Sequence, residues 1–110
     1  MNFDEYQKQA LKTAQEDYGP LIQTTIWAMG VAGEAGEVIE KWKKIVAYKE
    51  GKVSDEDRRE LAKELGDVVW YVAVMCHSLG LSFEDVMKGN LAKLADRQKR
   101  NVIKGAGDKR

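Results

Sequence analysis

Two stretches of this chain, thirty positions apart, follow one pattern. Ala32-Gly33-Glu34-Ala35-Gly36-Glu37-Val38-Ile39 and Ala62-Lys63-Glu64-Leu65-Gly66-Asp67-Val68-Val69 both read A-x-E-x-G-(E/D)-V-(I/V). Each carries two acids three residues apart, with a glycine just before the second. On an α-helix, positions i and i+3 lie about 60° apart around the axis and about 4.5 Å along it. Each pair therefore aims both carboxylates at one spot. Two such helices side by side would bring four carboxylates together. Two unit charges about 5 Å apart repel by roughly 3 kcal/mol at an effective dielectric near 20. Four such groups are not core filler. Either they splay into water or they hold a metal ion.

The rest of the chain agrees with helices. Proline occurs once, at Pro20, and alternation of β-branched residues is nearly absent. A first helix is predicted from Phe3 to Tyr18, with Asn2 as its cap and Glu5 reaching back. Phe3, Tyr6, Ala10, Leu11, Ala14 and Tyr18 recur on one face, and Gly19-Pro20 should end it. A second helix is predicted from Gln23 to Ala47. Its interior holds Gly30, Gly33 and Gly36, each costing about 1 kcal/mol against alanine. Three such glycines imply close approach by another helix or a ligand. Lys41, Lys43 and Lys44 suit the end of that helix. Tyr48 to Val53 is a polar loop.

A third helix should start at Ser54, with Asp57 at the capping-box position, and stop at Gly80. Its second half, with Val68, Val69, Val72, Val74, Met75 and Leu79, is apolar nearly all round, which requires burial in the subunit or in an interface. Ser82 caps a fourth helix. Gly105 to Arg110 is expected to be a disordered tail, leaving residues 1–104 as one domain. The fold class expected is all-α: a four-helix bundle-like subunit completed by oligomerisation.

Composition removes several function classes. Acids and bases balance at 18 each, so no basic field recruits nucleic acid. Cys76 is the only cysteine, which rules out a disulfide framework and a thiolate metal site, and it sits in an apolar run as a small core residue. The start, Met1-Asn2-Phe3-Asp4-Glu5, lacks the plan of a signal peptide. The longest apolar run, Val68 to Cys76, falls short of the ~20 residues a bilayer span needs. A cytoplasmic protein without membrane partners is the expectation.

Oxygen-only ligands suit a hard ion, Mg²⁺ or Mn²⁺. A di-iron carboxylate bundle would want Glu-x-x-His, and here Asp67 stands three after Glu64. His77 lies ten residues after Asp67 and reads as a packing or surface residue. The competing reading of the acids is two solvated faces with i,i+4 partners such as Glu37 and Lys41. Tyr71, four after Asp67, and Trp27, seven before Glu34, share the acid faces; each either stacks on a base or packs in the core. Trp42 and Trp70 lie off those faces. Asn90, Lys93 and Arg97 form a stripe on the fourth helix, either an ordinary polar face or a set suited to phosphate oxygens.

Together these residues resemble the MazG family of all-α nucleoside triphosphate pyrophosphohydrolases, marked by E-x-x-E, a spacer, then E-x-x-D. The matching positions are Glu34-Ala35-Gly36-Glu37 and Glu64-Leu65-Gly66-Asp67, and Asn90, Lys93 and Arg97 resemble its phosphate-contacting helix. The related phosphoribosyl-ATP pyrophosphohydrolases favour a histidine where this chain has Tyr71. The resemblance implies hydrolysis of a (deoxy)nucleoside triphosphate to monophosphate and pyrophosphate, with nucleotide-pool house-cleaning as the role. It implies Mg²⁺ held by Glu34, Glu37, Glu64 and Asp67, with a spare carboxylate, Glu37 by choice, as proton acceptor. Trp27, Lys41, Tyr71, Asn90, Lys93 and Arg97 become the candidate substrate-binding residues. Family members assemble as dimers or tetramers with sites at subunit contacts. The alternatives are a phosphoribosyl-ATP pyrophosphohydrolase-like enzyme, a metal-dependent nucleotide-binding module without turnover, and a plain helical interaction module.

Overall fold

The computed structural model describes residues 1–110, and its regular structure is entirely helical. The helices are α1 (Phe3–Leu11), α2 (Pro20–Lys49), α3 (Asp55–Ser78) and α4 (Phe83–Lys99). Three of the four starts are set by the polar caps expected. The Asn2 side chain accepts from the Glu5 backbone N–H while Glu5 reaches back, and Ser54 and Asp57 form the same reciprocal box. Ser82 accepts from the Asp85 N–H at 3.1 Å, and its hydroxyl donates to Asp4 of α1 at 2.9 Å.

The first helix is shorter than its apolar spacing predicts. Instead of reaching Tyr18 it ends at Leu11, and Tyr18 is exposed. The last amides tighten to i→i−3 bonds, Lys12 to Gln9, Thr13 to Ala10 and Ala14 to Leu11. Thr13 is held across the fold by the Trp70 indole, which donates to its hydroxyl at 3.0 Å. That tertiary anchor fixes where the chain turns. Pro20, read from sequence as a stop, is instead the first residue of α2, with Gly19 as its cap. Proline suits that position because its missing N–H would have no helical partner there.

Helix α2 runs past Ala47 to Lys49 and reverses through Glu50 and Gly51, both with positive φ (55° and 77°). The Lys49 ammonium spans the turn to Asp57 at 2.7 Å. That contact, with the Ser54 backbone N–H, pulls the Asp57 carboxyl down to about 2. The turn folds α2 and α3 into a long antiparallel pair, the dominant packing of the chain. Pairs stepping away from the turn are Lys49–Asp57, Lys41–Glu60, Lys41–Glu64 and, furthest out, Trp27 against Trp70 and Tyr71.

Helix α3 is the hub. α1 and α4 pack on it and on each other, whereas the α2 backbone approaches neither of them. The core cluster is Ala10, Trp27, Ala73, Val74, Cys76 and Phe83. The joint of α1, α3 and α4 is closed by buried Gln7. Its amide donates to the Ala73 and Leu81 carbonyls at 3.1 Å each, and its oxygen accepts from the Phe83 N–H at 3.3 Å. A buried amide with both ends satisfied specifies one arrangement of that joint.

Of the three α2 glycines, only Gly30 faces a close neighbour. A Cβ there would run into the Tyr71 ring, whereas Gly33 and Gly36 face open space. The close approach expected at all three therefore holds at one. The subunit is also more open than a closed bundle. α4 leaves α3 at 105°, and only 10 of 110 residues are buried. Met29, Ile39 and Val46 are among the exposed apolar residues of α2, Leu65 and Val69 of α3, and Leu91 of α4. No single helix is long and apolar enough to cross a membrane.

Candidate metal centre

The antiparallel register of α2 and α3 brings the two acid motifs face to face. Carboxylate oxygens of Glu34, Glu64 and Asp67 lie within 4.8 Å of one another. Glu34 and Glu64 are half-buried, and Asp67 is exposed. Glu37, the fourth acid of the pattern, is exposed and stands outside this cluster. Its charge still acts there. The Glu34 carboxyl is pushed above the usual carboxylate range by loss of water around it, then by the charges of Asp67, Glu64 and Glu37. Desolvation first, and like charge after it, both disfavour the ionised form at this position.

Cations near the cluster do not resolve that crowding. Lys41 sits 3.7 Å from Glu64 and 3.6 Å from Glu60, so it leans on the turn-proximal side of the seam. Neither Glu34 nor Asp67 has an ion-pair partner. Three convergent carboxylates, two of them free of lysine or arginine, form an all-oxygen donor set of the kind that hard divalent cations take. The donors present thus fit such an ion. The cluster lies on an open seam rather than inside an enclosed cavity. A cavity of about 200 Å³ is lined by Lys41, Ile45, Tyr48, Asp57, Glu60 and Leu61, towards the turn.

The aromatic residues resolve differently from one another. Trp27 is 5% exposed and packs edge-to-face on Trp70, with ring centroids 5.6 Å apart. Of its two readings the structure supports core packing. Tyr71 is half-buried, lies on the Gly30 backbone and meets Trp70 edge-to-face at 4.9 Å. Trp70, read as core or interface, packs against the core, and Trp42 is 44% exposed. His77 is exposed, and Cys76 is buried with its thiol pushed up by desolvation. Tyr6, which sequence reasoning used only as a core residue, is close enough to Asp67 for that charge to help raise its phenol, after desolvation. No spacing rule links residues 6 and 67; only the docking of α1 on α3 does so.

On α4, Asn90 is exposed, while Lys93 and Arg97 are engaged by the end of the chain. Asp108 Oδ1 lies 2.8 Å from Lys93 Nζ and 2.9 Å from Arg97 Nη2. Arg97 is buried, which its position on a polar stripe does not announce.

Comparison with known proteins agrees with this geometry. The chain is 41% identical to the Gene 37 protein of Mycobacterium phage L5 over 114 aligned positions, covering all of both chains. It is 33% identical to the uncharacterized protein YvdC of Bacillus subtilis (strain 168), covering 78% of this chain and 82% of that one. No solved structure matches. The family model of the MazG nucleotide pyrophosphohydrolase domain matches residues 23–102, a span that contains α2 from Gln23 onward, all of α3 and α4, and the three clustered carboxylates. The chain is therefore a member of the MazG nucleotide pyrophosphohydrolase domain family.

Proposed function

We propose that this chain hydrolyses a (deoxy)nucleoside triphosphate to the monophosphate and pyrophosphate, with removal of unwanted nucleotides from the pool as its role. The observation that carries the reading is the approach of Glu34, Glu64 and Asp67 to within 4.8 Å across two antiparallel helices of a MazG-family chain. These three residues would hold Mg²⁺, which when bound offsets phosphate charge and makes water a better nucleophile. Glu37, exposed beside the cluster and not part of it, is free to take the proton from the attacking water. Lys41 is positioned to hold Glu64 in place. Tyr71, one turn from Asp67 on α3, offers an aromatic surface for a base.

Lys93 and Arg97 are the cations for the leaving pyrophosphate, and their placement calls for a second copy. They begin ten residues into α4, about 15 Å along its axis, and Asp67 lies a similar distance back along α3. With 105° between the two helices, one chain holds its acids and its phosphate cations on diverging arms. A partner subunit that lays its α4 over the open α2–α3 seam would join them and cover the exposed apolar residues of α2 and α4. Light scattering at micromolar concentration is expected to give a dimer or tetramer mass. A monomer mass would remove the shared site.

The test of the reaction is incubation with a mixture of deoxynucleoside triphosphates and Mg²⁺, followed by separate assays for pyrophosphate and orthophosphate. Pyrophosphate release that chelator abolishes is expected. Orthophosphate as the sole product, or turnover untouched by chelator, would overturn the reading.

A further inference from the structure

After α4 the chain turns back on itself. Asn101 takes a positive φ of 59° and Gly107 one of 81°, and the Val102 amide donates to the Arg97 carbonyl at 2.9 Å. The returning segment is tied down by Arg110, whose Nε donates to the Val102 carbonyl at 3.2 Å. These turns place Asp108 over the side chains of Lys93 and Arg97. A single carboxylate oxygen, Oδ1, serves both cations, and the Asp108 carbonyl takes a further bond from Arg97 Nη2 at 2.8 Å.

The fit is incomplete. Arg97 Nε is buried and has no hydrogen-bond partner. An unpaired buried donor on a charged group is costly, and a guanidinium offers Nε and Nη together as a two-pronged grip. The carboxylate engages only one prong. A tetrahedral oxyanion has enough oxygens to take Nε, Nη2 and the Lys93 ammonium at once. The cradle is thus better matched to phosphate than to the aspartate that sits in it. Asp108 is itself 78% exposed on its side chain, so water and salt compete for it from outside.

We propose that the turn formed by residues 105–110 is a built-in competitor: Asp108 holds the Lys93–Arg97 cradle in place of a phosphate group and must leave before pyrophosphate or a triphosphate tail can enter. This rests on the reading of Lys93 and Arg97 as phosphate cations, but it does not require turnover. The chain would meet substrate in a partly closed state, and high polyphosphate concentrations would open it.

The experiment is calorimetric titration of the metal-free protein, residues 1–110, with inorganic pyrophosphate. Asp108→Asn removes the competing charge, and Asp108→Lys repels the turn from the cradle. Both are expected to bind pyrophosphate about fivefold tighter than the unaltered chain, the scale of one ion pair with a desolvated partner. Asp85→Asn makes the same charge change as Asp108→Asn at an exposed site on α4, the helix that carries Lys93 and Arg97, and should leave affinity unchanged. In the Asp108→Asn background, Lys93→Ala should abolish the gain. Unaltered or weaker binding by both Asp108 variants would overturn the proposal, as would an equal gain in Asp85→Asn or a gain that survives Lys93→Ala. Absence of nucleotide hydrolysis would instead count against the reaction, since this titration involves no turnover.

Discussion

Replacing Asp67 by Asn is expected to cut pyrophosphate release by at least about 10²-fold, the scale of losing one well-placed electrostatic group at a reacting phosphate. The substitution keeps the size of the side chain and removes its charge. Asp67 is the exposed member of the cluster, has no lysine or arginine partner, and caps no helix. The change should therefore leave the chain folded, and relief of its repulsion on Glu34 should raise rather than lower the melting temperature in chelator. An activity loss without unfolding places the effect on the chemistry. Asp67→Asn protein that turns over at near the original rate, measured in parallel at saturating Mg²⁺, would take Asp67 out of the site.

The second large effect concerns stability without metal. Glu34→Gln should melt higher than the unaltered chain in chelator, and that advantage should shrink or reverse in millimolar Mg²⁺. The Glu34 carboxyl is raised by desolvation and by three neighbouring acids, so its charged form disfavours the fold. A raised carboxyl binds protons more tightly in the folded state than in the unfolded one, so stability falls as pH rises through that interval. The strain is absent below the ordinary value of 4.5 and fully present above the raised one. The melting gap between variant and unaltered chain should accordingly close as pH is lowered towards 4.5. An ion that binds only the folded cluster stabilises by RT ln(1 + [L]/Kd), about 2.7 kcal/mol at a hundredfold excess over Kd. Glu64→Gln is a poorer probe because it also breaks the contact with Lys41. A Glu34→Gln chain that melts clearly lower in chelator would mean that Glu34 has a structural partner, and the crowded-carboxylate account would fail.

What could be read from the sequence and what could not divide along a physical line. Local rules decided the caps at Asn2, Ser54 and Ser82, because each is settled within three residues. The pairing of Glu34 with Glu64 and Asp67 was also legible, because a repeated motif on two helices joined by a short turn leaves few registers. The end of α1 was not legible. Its apolar spacing runs on to Tyr18, and the anchor that stops it, Trp70 on Thr13, is 57 residues distant. The buried Gln7 and the approach of Tyr6 to Asp67 escaped for the same reason. Gly30, Gly33 and Gly36 look equivalent in sequence, yet they differ in which side of α2 they occupy relative to Tyr71. The separation of Glu37 from the other three acids rests on side-chain placement that i,i+3 spacing alone does not fix.

The seating of the Tyr71 ring on Gly30 has a mechanical consequence for the acids one turn away. Only glycine leaves room for the ring, and its immediate neighbours on α2 are Met29 and Val31. Sliding α2 by one residue shifts it about 1.5 Å along its axis and rotates its faces by about 100°. Such a slip would drive a side chain into the ring, so the contact acts as a register pin for the whole helix pair. Glu34 is one turn from the pin on α2, and Asp67 one turn from it on α3. The carboxylates are thus held at their mutual distance by a contact that contains no charge. On the proposed function, an arriving ion would find its ligands already gathered, the work of gathering them having been done when the chain folded.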